Sequence, residues 1–330
     1  MNIKKLTKVI LVNILIVIFL FFLLELAVRL FFPQIQLSGT DSSLYQDSVY
    51  FNTPGLKPNS SGKSYGAFKE VNDDGFWKYS RSKTFEKNKS RWLFLGDSIT
   101  MGIGVDNDSS FAGLINTQKD SIEILNAALI GYSGYAYLNV IKKLFEKDQN
   151  ALNIKKVFIF WCLNDVYDFF PTSNSPHYED KSILGGAIKL LTNNFKAWHL
   201  FKELFSDRQK DYFLFDNQFY SPSDSLFNRT IINIEKCASI VSSFNAEFDV
   251  IILPYEYQVR NFSNRELFQP QRVLYKQLSQ SGVKCFDLSD YFKPYQSDSK
   301  SLYLFGDGIH FSNKGHRLIS KIFLENIKLN

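Results

Sequence analysis

Trp92-Leu93-Phe94-Leu95-Gly96-Asp97-Ser98-Ile99-Thr100 reads as a short apolar strand, a tight exit at Gly96 and the start of a helix. Four more short apolar runs follow it: Ile122–Leu125, Val157–Trp161, Phe248–Leu253 and Val283–Phe286. Between them lie segments long enough for amphipathic helices, such as Ile231–Phe244 and Arg265–Ser279. Alternating strands and helices imply parallel strands joined by right-handed crossovers. The expected fold is therefore α/β: a three-layer α/β/α sandwich around a five-stranded, mainly parallel, flavodoxin-like sheet.

The gap between the third and fourth runs is far longer than a crossover needs. It holds a helical stretch, Leu184–Phe205, and an aromatic one, Tyr212–Tyr220. We expect an insertion at about 166–225, placed beside the carboxyl ends of the strands, where α/β sheets bind ligands. Upstream, residues 34–90 are rich in Ser, Gly, Asn, Asp and Pro. They read as an extended, loop-rich segment with one or two strands, leading from membrane to domain.

The membrane enters through residues 1–33. Lys4, Lys5 and Lys8 precede a run from Val9 to Phe32, with Asn13, Glu25 and Arg29 as its polar interruptions, and Pro33 ends it. As a helix, 24 residues span about 36 Å, enough for a hydrocarbon core of about 30 Å. Glu25 and Arg29, at i and i+4, can pair on one face. A cleaved signal peptide is the rival reading. The run exceeds the usual apolar core of such peptides, about 7–15 residues, and no A-x-A-like site follows. We expect a retained anchor (9–32), with lysines holding the amino terminus in the cytoplasm and the rest of the chain outside.

Composition bounds the rest. With 45% hydrophobic and 22% charged residues, wholesale disorder is excluded. The aromatic share of 16% suggests a well-packed core and an aromatic-lined cleft. A net charge of +5, with no basic block after the first ten residues, argues against nucleic acid as a partner. Cys162, Cys237 and Cys285 are too few and too scattered for a metal cluster or a disulfide framework, though an isolated pair stays open. No spacing of His, Cys and carboxylates implies a metal, and no organic cofactor is implied.

Four strand ends carry the chemistry. Ser98, at a helix start, sits where backbone N–H groups favour the negative charge of an activated nucleophile. The plainer reading is that Asp97 or Ser98 only caps that helix. Near the carboxyl end, Gly306-Asp307-Gly308-Ile309-His310 sets a carboxylate three residues before an imidazole, close enough to fix its tautomer and leave Nε2 for a proton. Gly131, after the second run, can present an unobstructed N–H, and the Asn164 amide, after the third, can donate a second hydrogen bond. Ordinary turn chemistry would also explain both. Asp165 reads as a loop-ordering residue. His177 and His199 lie in the insertion, and His316 reads as a helix-surface residue.

In this order, from Phe94 to His316, these blocks resemble the SGNH (GDSL-type) hydrolase family, making 91–330 the hydrolase-like domain. The resemblance implies Ser98 as nucleophile, His310 as base oriented by Asp307, and an oxyanion hole from the Ser98 N–H, Gly131 and Asn164, with Gly96, Asp97 and Asp165 in support. Asn72-Asp73-Asp74-Gly75-Phe76 and Gly104 are similar to elements of membrane-anchored members. Cys162 stands where the third block usually has glycine, which puts pocket size and the placement of Asn164 in question. The implied activity is a serine esterase acting on small acyl esters, such as glycan O-acetyl groups, at the cell surface. An O-acyltransferase for cell-envelope glycans is the alternative; a lipid substrate and a non-catalytic glycan-binding protein of the same fold also stay open. Oligomeric state is left open.

Overall fold

The computed structural model describes residues 3–80, 90–119, 121–146, 152–167 and 183–327. Helix α1 (Ile3–Phe31) comes first, and within Lys5–Phe31 the mean hydropathy of an 18-residue stretch reaches 3.0. That makes it long and apolar enough to cross a bilayer as an anchor or to act as a signal sequence. Most of its side chains are exposed. Its last turns are the exception: Glu25 and Val28 are buried against the domain.

Where one or two strands were expected after α1, there are four. β1 (Tyr45–Tyr50) pairs antiparallel with β2 (Thr53–Leu56), and β3 (Ser61–Ser64) with β4 (Ala67–Glu70). These strands are short and largely polar, so composition hides them. A two-residue turn fixes the second hairpin: Tyr65 and Gly66 take positive φ of 49° and 81°, the twist-matched geometry that closes tight hairpins.

The central sheet contains β5 (Ser90–Gly96), β6 (Ile122–Asn126), β7 (Ile154–Trp161), β8 (Glu247–Ile252) and β9 (Lys284–Asp287), in the order β6-β5-β7-β8-β9. Every neighbouring pair is parallel. The unbroken apolar character of β5 and β7 follows from burial on both faces, as parallel sheets require. α3 (Phe111–Gln118), which follows the short α2 (Ser98–Met101), packs against the carboxy-terminal helix Asn313–Asn326. α4 (Gly134–Glu146) packs against helix Ser225–Ser243. Right-handed crossovers to β6 on one side of β5 and to β7 on the other put these two layers on opposite faces. β5 thus lies at the switch point of the strand order, where a crevice opens beyond the carboxyl ends.

One aromatic cluster packs around β5 and β7. Phe160 lies 4.8 Å from Phe94 and 4.5 Å from Phe111, and Phe158 lies 4.9 Å from Phe323, between ring centroids. The stretch of helical character, Leu184–Phe205, forms two helices, Ile183–Asn194 and Lys196–Phe205, bent at Phe195. The helix expected to start at Ile231 starts six residues earlier, because Asp224 accepts from the Leu226 and Phe227 N–H groups and caps it. His316 is a correction. It is buried, with Nδ1 accepting from the Phe111 N–H at 3.2 Å, so it ties the last helix to α3 instead of facing solvent. Cys162, Cys237 and Cys285 are all free thiols.

Candidate active site

The site begins at the exit of β5. A Cβ at Gly96 would overlap the Thr100 side chain and crowd the Phe160 carbonyl, so the strand can turn this sharply only through glycine. Asp97 then caps α2, accepting from the Ile99 N–H at 2.9 Å. Ser98 becomes the first residue of α2, at its N-terminal end. Two bonds hold that helix from outside: the Asn126 amide at the end of β6 reaches the Thr100 carbonyl at 2.9 Å, and the buried Lys69 ammonium reaches the Met101 carbonyl at 3.0 Å.

His310 arrives from the other end of the chain. The Asp307 carboxylate accepts from the backbone N–H groups of Ile309 at 2.9 Å and His310 at 2.8 Å, which winds Gly306–His310 into one tight loop. His310 Nδ1 then lies 2.9 Å from both carboxylate oxygens, and Nε2 lies 2.8 Å from Ser98 Oγ. Serine, imidazole and carboxylate, up to 212 positions apart in the chain, form one connected line.

Electrostatics follow from that line. Burial by itself would lower the His310 pKa; the Asp307 charge and hydrogen bond outweigh it and raise the ring above 6.5. Burial likewise opposes ionisation of Asp307, but the His310 ring and the two backbone N–H groups bring that carboxyl down to about 2. A permanently ionised carboxylate therefore faces Nδ1, which favours the tautomer with its proton there and leaves Nε2 as acceptor for the Ser98 hydroxyl.

The two expected oxyanion donors lie in the same place. Gly131, with a positive φ of 78°, and Asn164 line one cavity with Ser98, Asp307 and His310. Asn164 Nδ2 donates to Asp97 at 3.1 Å, and its second N–H has no partner among the described residues. Asp165 is buried away from the cavity and accepts from the Cys162 N–H at 3.0 Å and the Tyr137 hydroxyl at 2.7 Å, which orders the loop holding Asn164. The Cys162 thiol does not narrow the cavity. It is fully buried against Tyr255, and burial pushes its pKa well up, so it is an inert packing group.

The Asn72–Phe76 element is structural. Asn72 Oδ1 accepts from the Asp74 and Phe76 N–H groups, and the next residue, Trp77, inserts its indole to donate to the Ala128 carbonyl at 2.9 Å. It thereby braces the loop that carries Gly131. Gly104 is needed for a close approach: a Cβ there would overlap Gln36, whose amide donates to the Gly104 carbonyl at 2.7 Å.

The cavity has a volume of about 470 Å³. Sequence reasoning missed most of its outer wall: Gln36 from beside α1, Tyr65 from the β3–β4 turn, and His199, Arg208, Tyr212 and Phe215 from the insertion. Arg208 donates to the Gly306 carbonyl at 3.2 Å and stacks on Tyr212 at 5.3 Å, so the insertion is fastened to the loop bearing Asp307. The aromatic stretch Tyr212–Tyr220 was the available signal. His177 lies outside the described residues.

Residues 93–323 match the family described as GDSL-like Lipase/Acylhydrolase. The chain belongs to this family. It is accordingly a hydrolase acting on ester bonds, with the GDSL signature represented by Gly96-Asp97-Ser98-Ile99. Solved structures similar to this GDSL-family chain include a member of the lipolytic G-D-S-L family from Veillonella parvula, at 11% identity and TM-score 0.45, covering 72% of this chain and 98% of that one. The acetyl xylan esterase AlAXEase is similar at 15% identity and TM-score 0.44, covering 72% and 100%. The acetylxylan esterase Axe2 from Geobacillus stearothermophilus is similar at 16% identity and TM-score 0.41, covering 74% and 98%. No curated protein sequence matches the chain.

Proposed function

We propose that the protein transfers acyl groups from esters through an acyl-enzyme on Ser98, with water as acceptor. The observation that carries this reading is the line Ser98 Oγ–His310 Nε2–Asp307, at 2.8 and 2.9 Å, opening into the cavity. His310 takes the Ser98 proton as Oγ bonds to the ester carbonyl carbon. The oxyanion is held by the N–H groups of Ser98 and Gly131 and the Asn164 amide. As the C–O bond to the alcohol breaks, the proton on His310 goes to the leaving alcohol. Water then repeats the sequence: His310 removes its proton, the acyl–Oγ bond breaks, and Ser98 recovers its hydrogen.

The substrate we infer is a small acyl ester on a glycan. Tyr65, Tyr167, Tyr212 and Phe215 line a cavity that would hold a sugar ring beside an acetyl group, and aromatic faces with polar edges suit sugars. We further read α1 as a retained anchor with the catalytic domain on the extracytoplasmic side. Support comes from Glu25 and Val28, which are buried against the domain, a role a discarded peptide would not have.

A fluorophosphonate probe tests the nucleophile: labelling of the wild-type protein and none of Ser98→Ala is expected, and equal labelling refutes it. A chromogenic ester series should favour acetyl over long chains. Incubation with an acetyl donor and an oligosaccharide should release acetate; mass addition to the sugar would instead make it a transferase.

A further inference from the structure

Helices Ile183–Asn194 and Lys196–Phe205 point apolar residues away from the domain. Leu190 is 61% exposed, Leu204 69% and Phe205 74%. Trp198 stacks on Phe201 with centroids 5.8 Å apart, and Phe201 lies 4.6 Å from Phe205, so these three rings form one ridge along the second helix. Bare apolar surface of this kind marks an interaction site.

Its position identifies the partner. Phe195, at the bend between the helices, packs on Phe21 and Phe22 of α1, at 5.1 and 6.3 Å. Phe21 lies ten residues before the end of α1, about 15 Å back along its axis, roughly the thickness of one hydrocarbon leaflet. Glu25, inside the apolar run, accepts from the N–H groups of Lys196 at 3.0 Å and Ala197 at 2.8 Å and from Arg29 Nε at 2.6 Å. Arg29 in turn reaches the Asn194 carbonyl at 2.9 Å. A carboxylate among lipid chains is tolerated where protein groups meet its charge, and here a helix N-terminus and an arginine do so. On the inner side, Ala197 packs with Val28 and Ile35, joined by Phe305, which also lines the cavity.

We propose that the outer face of residues 183–205 is inserted into the bilayer leaflet on the catalytic-domain side, beside α1, setting the cavity mouth at headgroup level. The inference rests on the reading of α1 as a retained span. Lipid fits this face because it continues the exposed apolar surface of α1. Lys202 lies 5.9 Å from the Trp198 ring and Lys196 reaches the Pro33 carbonyl at 3.2 Å, the tryptophan–lysine girdle typical of an interface.

The test uses the full chain in phosphatidylethanolamine–phosphatidylglycerol vesicles, with a nitroxide on Phe205→Cys or Leu190→Cys in a Cys285→Ser background. Reference labels go on Leu23→Cys in α1 and Lys155→Cys, exposed at the opposite end of the sheet. Both test positions are expected to relax faster with oxygen than with a water-soluble nickel chelate, as at Leu23. Preferential relaxation by nickel, as at Lys155, overturns the proposal. Shielding from both reagents also overturns it, since a protein or a second copy then covers the face. A water-exposed Leu23 label would sink the span and the proposal together. In a second arm, Phe201→Ser/Phe205→Ser should hydrolyse a soluble acetyl ester within twofold of wild type but an ester carried in vesicles at least tenfold more slowly. Equal loss on both substrates overturns the proposal. The depth readout needs no turnover, so its failure is separable from failure of the acyl-transfer reading.

Discussion

Two parts of this molecule meet at one cavity and are held by different forces. Ser98 and Asn164 follow the ends of β5 and β7, neighbouring parallel strands whose ladder fixes their separation. The opposite wall comes from a short hairpin, the segment after α1 and an insertion, fastened largely by side-chain bonds such as Arg208 to Gly306 and Gln36 to Gly104. Adjacent strands within the sheet hold Ser98 and Asn164 in a fixed relation. The wall's cavity-facing side chains lie outside that ladder and can change without disturbing it, so chemistry and selectivity draw on separable parts of the fold.

The most direct attempt to break this division is Ser98→Ala, which should lower kcat/KM on order of 10⁴–10⁶-fold while leaving thermal stability nearly unchanged. Asp307→Asn should cost about 10⁴-fold, with a pH signature. With neutral His310 as the proposed base, wild-type kcat/KM should rise with pH through an apparent pKa above 6.5, because the Asp307 charge favours the protonated ring. Without that charge the rising limb should move to lower pH while the plateau falls; an unmoved limb would separate Asp307 from the base. Asn164→Ala should lose about 10²–10³-fold, mostly in kcat, as expected for a donor that acts in the transition state. On the outer wall, Tyr212→Ala should raise KM for an acetylated oligosaccharide about tenfold, with a much smaller change for a small chromogenic acetate. A fall in kcat as large as that of Asn164→Ala would show that the wall is not separable from the chemistry.

The same division explains what could be read from the chain. The strands announce themselves as local apolar runs, and Asp307 and His310 announce their pairing by spacing alone. His316 was misread because its burial depends on the Phe111 N–H, 205 positions away. Tyr65 and Arg208 enter the cavity through tertiary docking of segments whose composition says only loop or helix. Polar hairpins such as β3–β4 are stabilised by their turn and their neighbours, so hydrophobic periodicity carries no trace of them.

Gln36 lies five residues beyond the end of α1 and is already bonded to the loop after α2. A connection that short spans at most about 18 Å even when fully stretched. If α1 is retained as the anchor proposed above, that tether has no slack, and the cavity samples only a thin shell against the membrane surface. Its encounters would then be two-dimensional, with turnover governed by how densely that surface is decorated and not by bulk concentration.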